Sequence, residues 1–389
     1  MKNEYDVIVV GAGPAGSMAA RCAAEQGVSV LMLEKDRDVG YPVRCGEAVT
    51  KRSVEKFIEP DDKWITAKIS KFSFTSPDGN EVVIDFKSVQ GYVLERRIFD
   101  YELAKNASKA GAEVVTRAYV NGLIRENGKT CGVKVEYRGE QKIIRSKIVI
   151  GADGTESRVG RWAGLKTHID FRDMECCFQV TAANVSVNQD TLYFYFGKDV
   201  APGGYFWVFP KGSDIANVGL GIDGMEGKKR SALSYLNSNL DRLYPQASIL
   251  TQVAGGVPCS VTLEQISGEG IMLAGDAARQ VNPLSGGGIA SGMMGGSIAG
   301  RIAGEAIRKN NLKHIYSYDK EWHNERGKTH EIFNRLKEGI YGFTDNDFNK
   351  IMRKIKEVAP EKRTMNKLFM IALVNKPSLL IDVAKVIID

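Results

Sequence analysis

The stretch Tyr5 to Glu34, YDVIVVGAGPAGSMAARCAAEQGVSVLMLE, constrains this chain more than any other. An apolar run, Val7 to Val10, breaks at glycines spaced Gly11-x-Gly13-x-x-Gly16. An alanine-rich helical segment, Gly27 and a second apolar run ending on Glu34 follow. That order reads as strand, tight turn, helix and strand, the opening of a Rossmann-like nucleotide-binding unit. Gly11 permits the turn, and Gly13 lets backbone N–H groups approach a pyrophosphate. Gly16 lets the helix lie on the sheet with its positive end toward the phosphates. Glu34, 23 residues after Gly11, stands where a carboxylate accepts hydrogen bonds from a ribose. The acid argues for an unphosphorylated ribose and leaves FAD and NAD both open.

At 389 residues the chain has length for two or more domains. Its net charge of +6 is too diffuse to argue for nucleic acid, but it would help at an anionic membrane or beside an acidic electron carrier. Cys22, Cys45, Cys131, Cys176, Cys177 and Cys259 show neither a CxxC pair nor zinc spacing. They read as reduced thiols in a cytoplasmic protein without a metal site. No run reaches the ~18 apolar residues a bilayer span needs. The first strand begins by Tyr5, so no separate targeting segment is expected.

After Glu34, a loop rich in glycine, proline and charge carries Arg44-Cys45-Gly46-Glu47-Ala48 and feeds a helix from about Thr50. Phe72, Phe74, Val82 and Ile84 alternate with polar residues around Pro77-Asp78-Gly79, which predicts a β-hairpin between Ile69 and Phe86. From Tyr92 come a strand end, an amphipathic helix closed by Gly111 and another strand. Arg96 lies at the strand-to-helix junction, in reach of a cofactor phosphate or ribose, or simply on the surface. Val120 to Val149 read as a β-meander turning at Asn127-Gly128 and Arg138-Gly139. An apolar strand then runs into Asp153-Gly154. Further strands over 175–223 carry eight aromatics between Tyr193 and Phe209. A later strand ends in Gly275-Asp276 and leads through Gly286, Gly287 and Gly288 into a small-residue helix. From Lys313 the pattern is helical.

The order Gly11-x-Gly13-x-x-Gly16, Asp153-Gly154, Gly275-Asp276 resembles the flavoprotein group related to para-hydroxybenzoate hydroxylase. In that group the cofactor is FAD and the late aspartate binds the ribityl chain. Pro202-x-x-Tyr205-x-Trp207-x-Phe209-Pro210 is similar to the PxxYxWxFP signature of the geranylgeranyl reductase family, and Arg44 to Ala48 to that family's loop beside the flavin. The resemblance runs to about residue 320 and is strongest to the archaeal digeranylgeranylglycerophospholipid reductases. It places FAD contacts at Gly11, Gly13, Ala15, Gly16, Glu34, Cys45, Gly46, Ala48, Arg96, Val120, Asp276, Gly288 and Ile289, with Val120 contributing backbone. Tyr205, Trp207 and Phe209 would line the substrate site, and Cys45 and Tyr205 are the catalytic candidates.

The fold class implied is α/β with α+β elements: a Rossmann-like FAD-binding domain with a β-meander, an inserted antiparallel-sheet substrate domain and a helical C-terminal region. The expected FAD-binding domain comprises 1–60, 88–160 and 255–320. The substrate domain comprises 61–87 and 161–254, and the helical region 321–389. The implied reaction saturates isoprenoid C=C bonds of geranylgeranyl chains, with hydride from reduced flavin N5 and a proton from water or Tyr205. Aromatics on strands commonly just fill a core. Here a prenyl arm of about twenty carbons represents on the order of 15 kcal/mol of apolar burial, which calls for a long apolar lining.

Other readings on the same fold are an FAD/NAD(P)H-dependent monooxygenase, a reductase of quinone or chlorophyll-type prenyl chains, and a non-catalytic lipid-binding module. The partners expected are a prenylated lipid and either ferredoxin or NAD(P)H as electron donor. Between Lys350 and Lys376 stand eight basic residues and two acidic ones, and Leu368 to Val374 is apolar until Asn375-Lys376-Pro377. That segment suits peripheral docking on the inner face of the cell membrane, or equally a basic helix packed on the body.

Overall fold

The computed structural model describes residues 1–375. Lys376 and Pro377, expected to close the last apolar run, lie outside the described residues. In chain order, β1 (Glu4–Val10), α1 (Pro14–Ala24) and β2 (Val30–Leu33) form the predicted opening unit. Short elements follow: β3 (Ala48–Thr50), α2 (Lys51–Val54), β4 (Ile65–Ile69), β5 (Lys71–Thr75), β6 (Glu81–Asp85) and β7 (Gly91–Leu94). Then come α3 (Arg96–Lys109), β8 (Glu113–Val115), β9 (Ala118–Glu126), β10 (Lys129–Tyr137), β11 (Glu140–Gly151) and α4 (Arg158–Ala163). The middle of the chain gives β12 (Met174–Ala183), β13 (Thr191–Tyr195), β14 (Tyr205–Pro210), β15 (Ile215–Asp223), α5 (Ala232–Leu243) and β16 (Ser248–Pro258). Last are β17 (Ser267–Gly268), β18 (Ile271–Leu273), α6 (Ile289–Arg308), α7 (Ser317–Trp322), α8 (Lys328–Tyr341), α9 (Asp345–Lys356) and α10 (Met365–Asn375).

The chain divides into two units. The first takes Met1–Val43, Arg96–Ile169 and Pro258–His330; the second takes Arg44–Glu95, Asp170–Val257 and the chain from Glu331 onward. In the first, a sheet of order β17-β18-β11-β1-β2-β8 carries the β9-β10 meander on β11. β1 pairs in parallel with both β11 and β2, and is covered on both faces. That is why its apolar run is continuous rather than alternating. Val7 and Val9 pack in a cluster with residues of α1 and α6, while Ile8 and Val10 pack with Val120, Val133 and Val135 of the meander. α1 and α6 meet backbone to backbone. A Cβ at Gly296 would lie 2.0 Å from the Ala15 carbonyl oxygen, and one at Gly300 2.1 Å from that of Ala19.

The second unit is built on a seven-stranded sheet of order β16-β12-β15-β14-β13-β5-β6, with a three-stranded sheet β3-β7-β4. Phe206, Val208, Leu220 and Ile222 bury one face against Tyr235, Leu236 and Leu240 of α5. Trp207, Phe209 and Leu192 on the other face pack with Ala67, Ile69 and Val93 of the small sheet. The predicted hairpin is β5–β6. α9 covers it with Met352 and Ile355, and Arg353 meets Asp78 of the turn at 2.6 Å.

Several boundaries differ from the sequence reading, and 161–169 and 321–330 also fall in the first unit. The helix expected from about Thr50 is one turn long, because β3 enters the small sheet through pairing with β7. That pairing also groups 44–95 as one piece in the second unit. Residues from Glu331 join the second unit rather than standing as a separate region, since α9 shares the hairpin's core.

Candidate functional site

The first unit gathers the three glycine motifs. Gly11 has a φ of 101°, open to glycine and costly to other residues, and a Cβ there would lie 2.3 Å from the Ala152 carbonyl oxygen. A Cβ at Gly13 meets nothing within 4 Å, which leaves the approach to the helix start free. No side chain caps the first turn of α1 or of α6, whose N-caps are Gly13 and Gly288. Both helices thus begin with N–H groups and a positive dipole end suited to phosphate and flavin oxygens. Glu34 Oε2 accepts from the Ala12 N–H at 2.8 Å and Oε1 from Asp36 N–H at 3.0 Å. The carboxylate is thereby oriented at the glycine turn, and each oxygen keeps a lone pair for a ribose hydroxyl.

Ala15 lies where the early and late motifs meet: a Cβ at Gly275 would come within 2.8 Å of its methyl, and one at Gly292 within 3.5 Å. Asp276 is half-buried, and desolvation pushes its carboxyl above the usual carboxylate range against the pull of the Arg96 charge and a hydrogen bond with Thr155. A Cβ at Gly288 would stand 3.1 Å from Asp276 Oδ1, so Gly288 and Ile289 adjoin that acid. Arg96 grips Asp100 with two bonds, at 2.7 and 2.6 Å; this fixes the guanidinium beside the motif. Asp153 Oδ2 accepts from Val159 N–H at 3.0 Å, while its buried Oδ1 has no hydrogen-bond partner among the described residues. The Val120 side chain is spent in the core, so only its backbone is available. A free glycine approach, two uncapped helix starts, an oriented ribose acid and a half-buried, desolvated acid fit FAD.

The second unit holds Cys45, Gly46 and Ala48 against the aromatic face of its large sheet. Gln179 donates from Nε2 to the Cys45 carbonyl at 2.8 Å and accepts at Oε1 from the Trp207 indole at 3.1 Å. Gly46 lies under the rings, since a Cβ there would be 3.0 Å from Phe209 Cε2 and 3.4 Å from Trp207 Nε1. Glu47, almost fully buried with φ 70°, takes bonds from Lys211 at 2.6 Å and Asn217 at 2.5 Å. Lys211 also reaches Glu95 at 3.1 Å. Cys45 Sγ accepts from the Glu47 N–H at 3.2 Å. Tyr205, Trp207, Phe209 and Phe194 form one contiguous aromatic group, with ring centroids 5.5 to 6.1 Å apart. Cys45 is thus tied to the aromatic face through its carbonyl and to Glu47 through its sulfur.

The family model of the geranylgeranyl reductase catalytic domain matches residues 173–257, and that of FAD dependent oxidoreductases matches 6–201. Digeranylgeranylglycerophospholipid reductase 1 of Methanococcoides burtonii is 45% identical over 92% of this chain and 89% of its own. The digeranylgeranylglycerophospholipid reductase of Methanocella arvoryzae is 43% identical over 98% of both chains. The chain belongs to the digeranylgeranylglycerophospholipid reductase family. A geranylgeranyl bacteriochlorophyll reductase-like protein from Thermoplasma acidophilum shares the structure, with a TM-score of 0.93 and 34% identity over 99% of each chain. Family membership resolves what the first glycine turn left open: the chain is a flavin-dependent oxidoreductase and its cofactor is FAD.

Gln179, Asn217, Lys211 and Glu175 escaped the sequence reading. None lies in a spaced motif of its own type. The available signal was the alternation Glu175, Cys177, Gln179 along β12, which sets polar groups on the face that bears the aromatics.

Proposed function

We propose that this protein saturates the C=C bonds of geranylgeranyl chains in digeranylgeranylglycerophospholipids during archaeal membrane lipid synthesis. The observation that carries the reading is the seating of the Cys45–Gly46 loop on the Trp207–Phe209 aromatic face, in a chain that also has an FAD cradle and aligns with the digeranylgeranylglycerophospholipid reductases over most of its length. Bound FAD, once reduced, supplies a hydride. The protein's share is to hold the prenyl alkene, exclude water and provide a proton. Tyr205, Trp207, Phe209 and Phe194 give a broad apolar surface on which a chain without polar handles aligns by shape. Cys45, fixed through its carbonyl, its sulfur and its neighbour Glu47, packs against the alkene; Tyr205 is a further group on that surface.

The electron donor is ferredoxin or NAD(P)H, since the chain carries one nucleotide fingerprint, at Gly11 to Glu34. Anaerobic reoxidation of reduced protein by prenyl lipid tests the reading. The flavin absorbance should return only when the lipid still has double bonds, and no return with any prenyl lipid would sink it. A monooxygenase would instead need oxygen for substrate turnover.

Among the described residues, no helix is long and apolar enough to cross a membrane. Peripheral docking on anionic lipid is the proposed route to substrate. Met370 and Val374 on α10 are exposed, while Arg353 and Lys356 are engaged at the β5–β6 turn. The contact therefore rests on apolar insertion together with the remaining basic residues. Vesicle co-sedimentation that is absent at all salt concentrations would contradict it.

A further inference from the structure

β12 carries Glu175, Cys177 and Gln179 on alternate positions, and so on one face of the sheet. Gln179 bonds Trp207 there, which makes it the aromatic face. Across the ladder, Cys177 pairs with Gly221 and Gln179 with Gly219. A Cβ at Gly204 would lie 3.3 Å from Glu175 Oε2. One at Gly221 would lie 3.7 Å from the same oxygen and 3.2 Å from Cys177 Sγ. Glycines at 204 and 221 therefore let the backbone pack close against this carboxyl, where a side chain would collide. Tyr205 opens the next strand and pairs with Gly221.

The carboxyl oxygen Oε2 is shut off from water and has no hydrogen-bond partner among the described residues, although the residue as a whole stays partly exposed. An ionised oxygen at that position would lack both water and a donor, so the neutral acid is favoured. Lys337 of α8 attracts the charged form and Asp223 of β15 repels it. Cys177 follows on the same face and adjoins Cys45, while the intervening Cys176 packs on the opposite face of the strand. Burial outweighs Lys337 and raises the Glu175 carboxyl to about 8.

We propose that Glu175 is the proton donor to the prenyl alkene, an assignment that rests on the reductase reading above. The alkene takes a hydride from reduced FAD on one carbon and the Glu175 proton on the other. The N5–H bond of the reduced flavin, the alkene π bond and the Glu175 O–H bond would break, and two C–H bonds would form. The alkene would be reduced, the reduced flavin oxidised to FAD, and the carboxylate reprotonated from solvent. A neutral carboxylic acid near its working pH is a far stronger donor than the phenol of Tyr205.

The test compares wild type with Glu175→Gln, which keeps the shape without an acidic proton, and with Glu175→Asp, which retains one. Saturation of digeranylgeranylglycerophospholipid by the FAD-loaded protein should fall about a hundredfold or more in Glu175→Gln, with KM and flavin content little changed, and less in Glu175→Asp. Infrared titration of the wild type should show a carboxylic acid band that disappears as pH rises through about 8 and is missing from Glu175→Gln. Wild-type turnover and pH profile in Glu175→Gln would overturn the assignment, as would absence of that band in the wild type, and either result leaves the reductase reading standing. A wild type that saturates no prenyl lipid removes the reductase reading, and this assignment with it.

Discussion

Gln179 ties the Cys45 carbonyl, 2.8 Å from its Nε2, to the Trp207 indole, 3.1 Å from its Oε1. One buried amide thus sets both the height of the thiol loop over the sheet and the tilt of the central aromatic ring. Replacing it with leucine fills similar space and strands a buried N–H and a carbonyl. Gln179→Leu should therefore lose about 1–3 kcal/mol in urea unfolding. Its prenyl turnover should drop while flavin content is kept, because the loop loses its register.

Lys211 is clamped between Glu47 and Glu95, and its own side chain is only 8% exposed. Removing the cation leaves the Glu47 carboxylate buried without its positive partner, although the Asn217 amide still donates to it. Lys211→Met is expected to cost about 3–5 kcal/mol, the range for breaking one side of a buried pair. Lys211→Arg should recover part of that loss if the longer fork is accommodated. Denaturant midpoints of the three proteins decide it.

Two glycines separate cofactor binding from folding. Gly13 has ordinary helical-entry backbone and open space around it, so Gly13→Ala should keep its melting temperature and lose FAD affinity as the methyl meets the pyrophosphate. Gly300→Val drives carbons into the Ala19 carbonyl, parting α1 from α6, and should lower melting temperature and FAD content together. Calorimetry and flavin-to-protein ratio on both variants check the contrast.

Glu175 also predicts a pH dependence of stability. Its carboxyl is raised to about 8 in the folded protein from an ordinary value of 4.5, so the folded state holds the proton over that interval. The associated stability is full below the ordinary value, is lost as pH climbs to about 8, and is flat beyond. Glu175→Gln should flatten that part of the melting-temperature profile. Parallel profiles in the two proteins would show that the carboxyl is ionised throughout.

The Rossmann-like opening was legible because a parallel strand buried on both faces, a glycine turn and a closing acid leave one reading open. The hairpin was legible too, since Phe72, Phe74, Val82 and Ile84 share one face. β3 was not: Ala48 to Thr50 have no periodicity of their own and become a strand only by pairing with β7. Cys45 was found through its neighbours Arg44, Gly46 and Glu47, whereas the residues that hold it were missed. Gln179, Lys211 and Asn217 come from β12, the β14–β15 turn and β15, and their convergence depends on antiparallel register, which a linear pattern does not specify. The basic residues near the C-terminus looked like one membrane-facing set. In the structure Arg353 and Lys356 serve the hairpin turn.

The most direct test of the central claim is the mass of the product. The purified flavoprotein, reduced with dithionite under anaerobic conditions, is given digeranylgeranylglycerophospholipid, and the lipid is extracted. The account predicts a ladder of masses, each step adding two hydrogens per double bond saturated, that fades in Gln179→Leu and Glu175→Gln. Unchanged lipid from fully reduced, FAD-loaded wild type would contradict it, and an oxygen adduct appearing only on re-aeration would replace it with a monooxygenase.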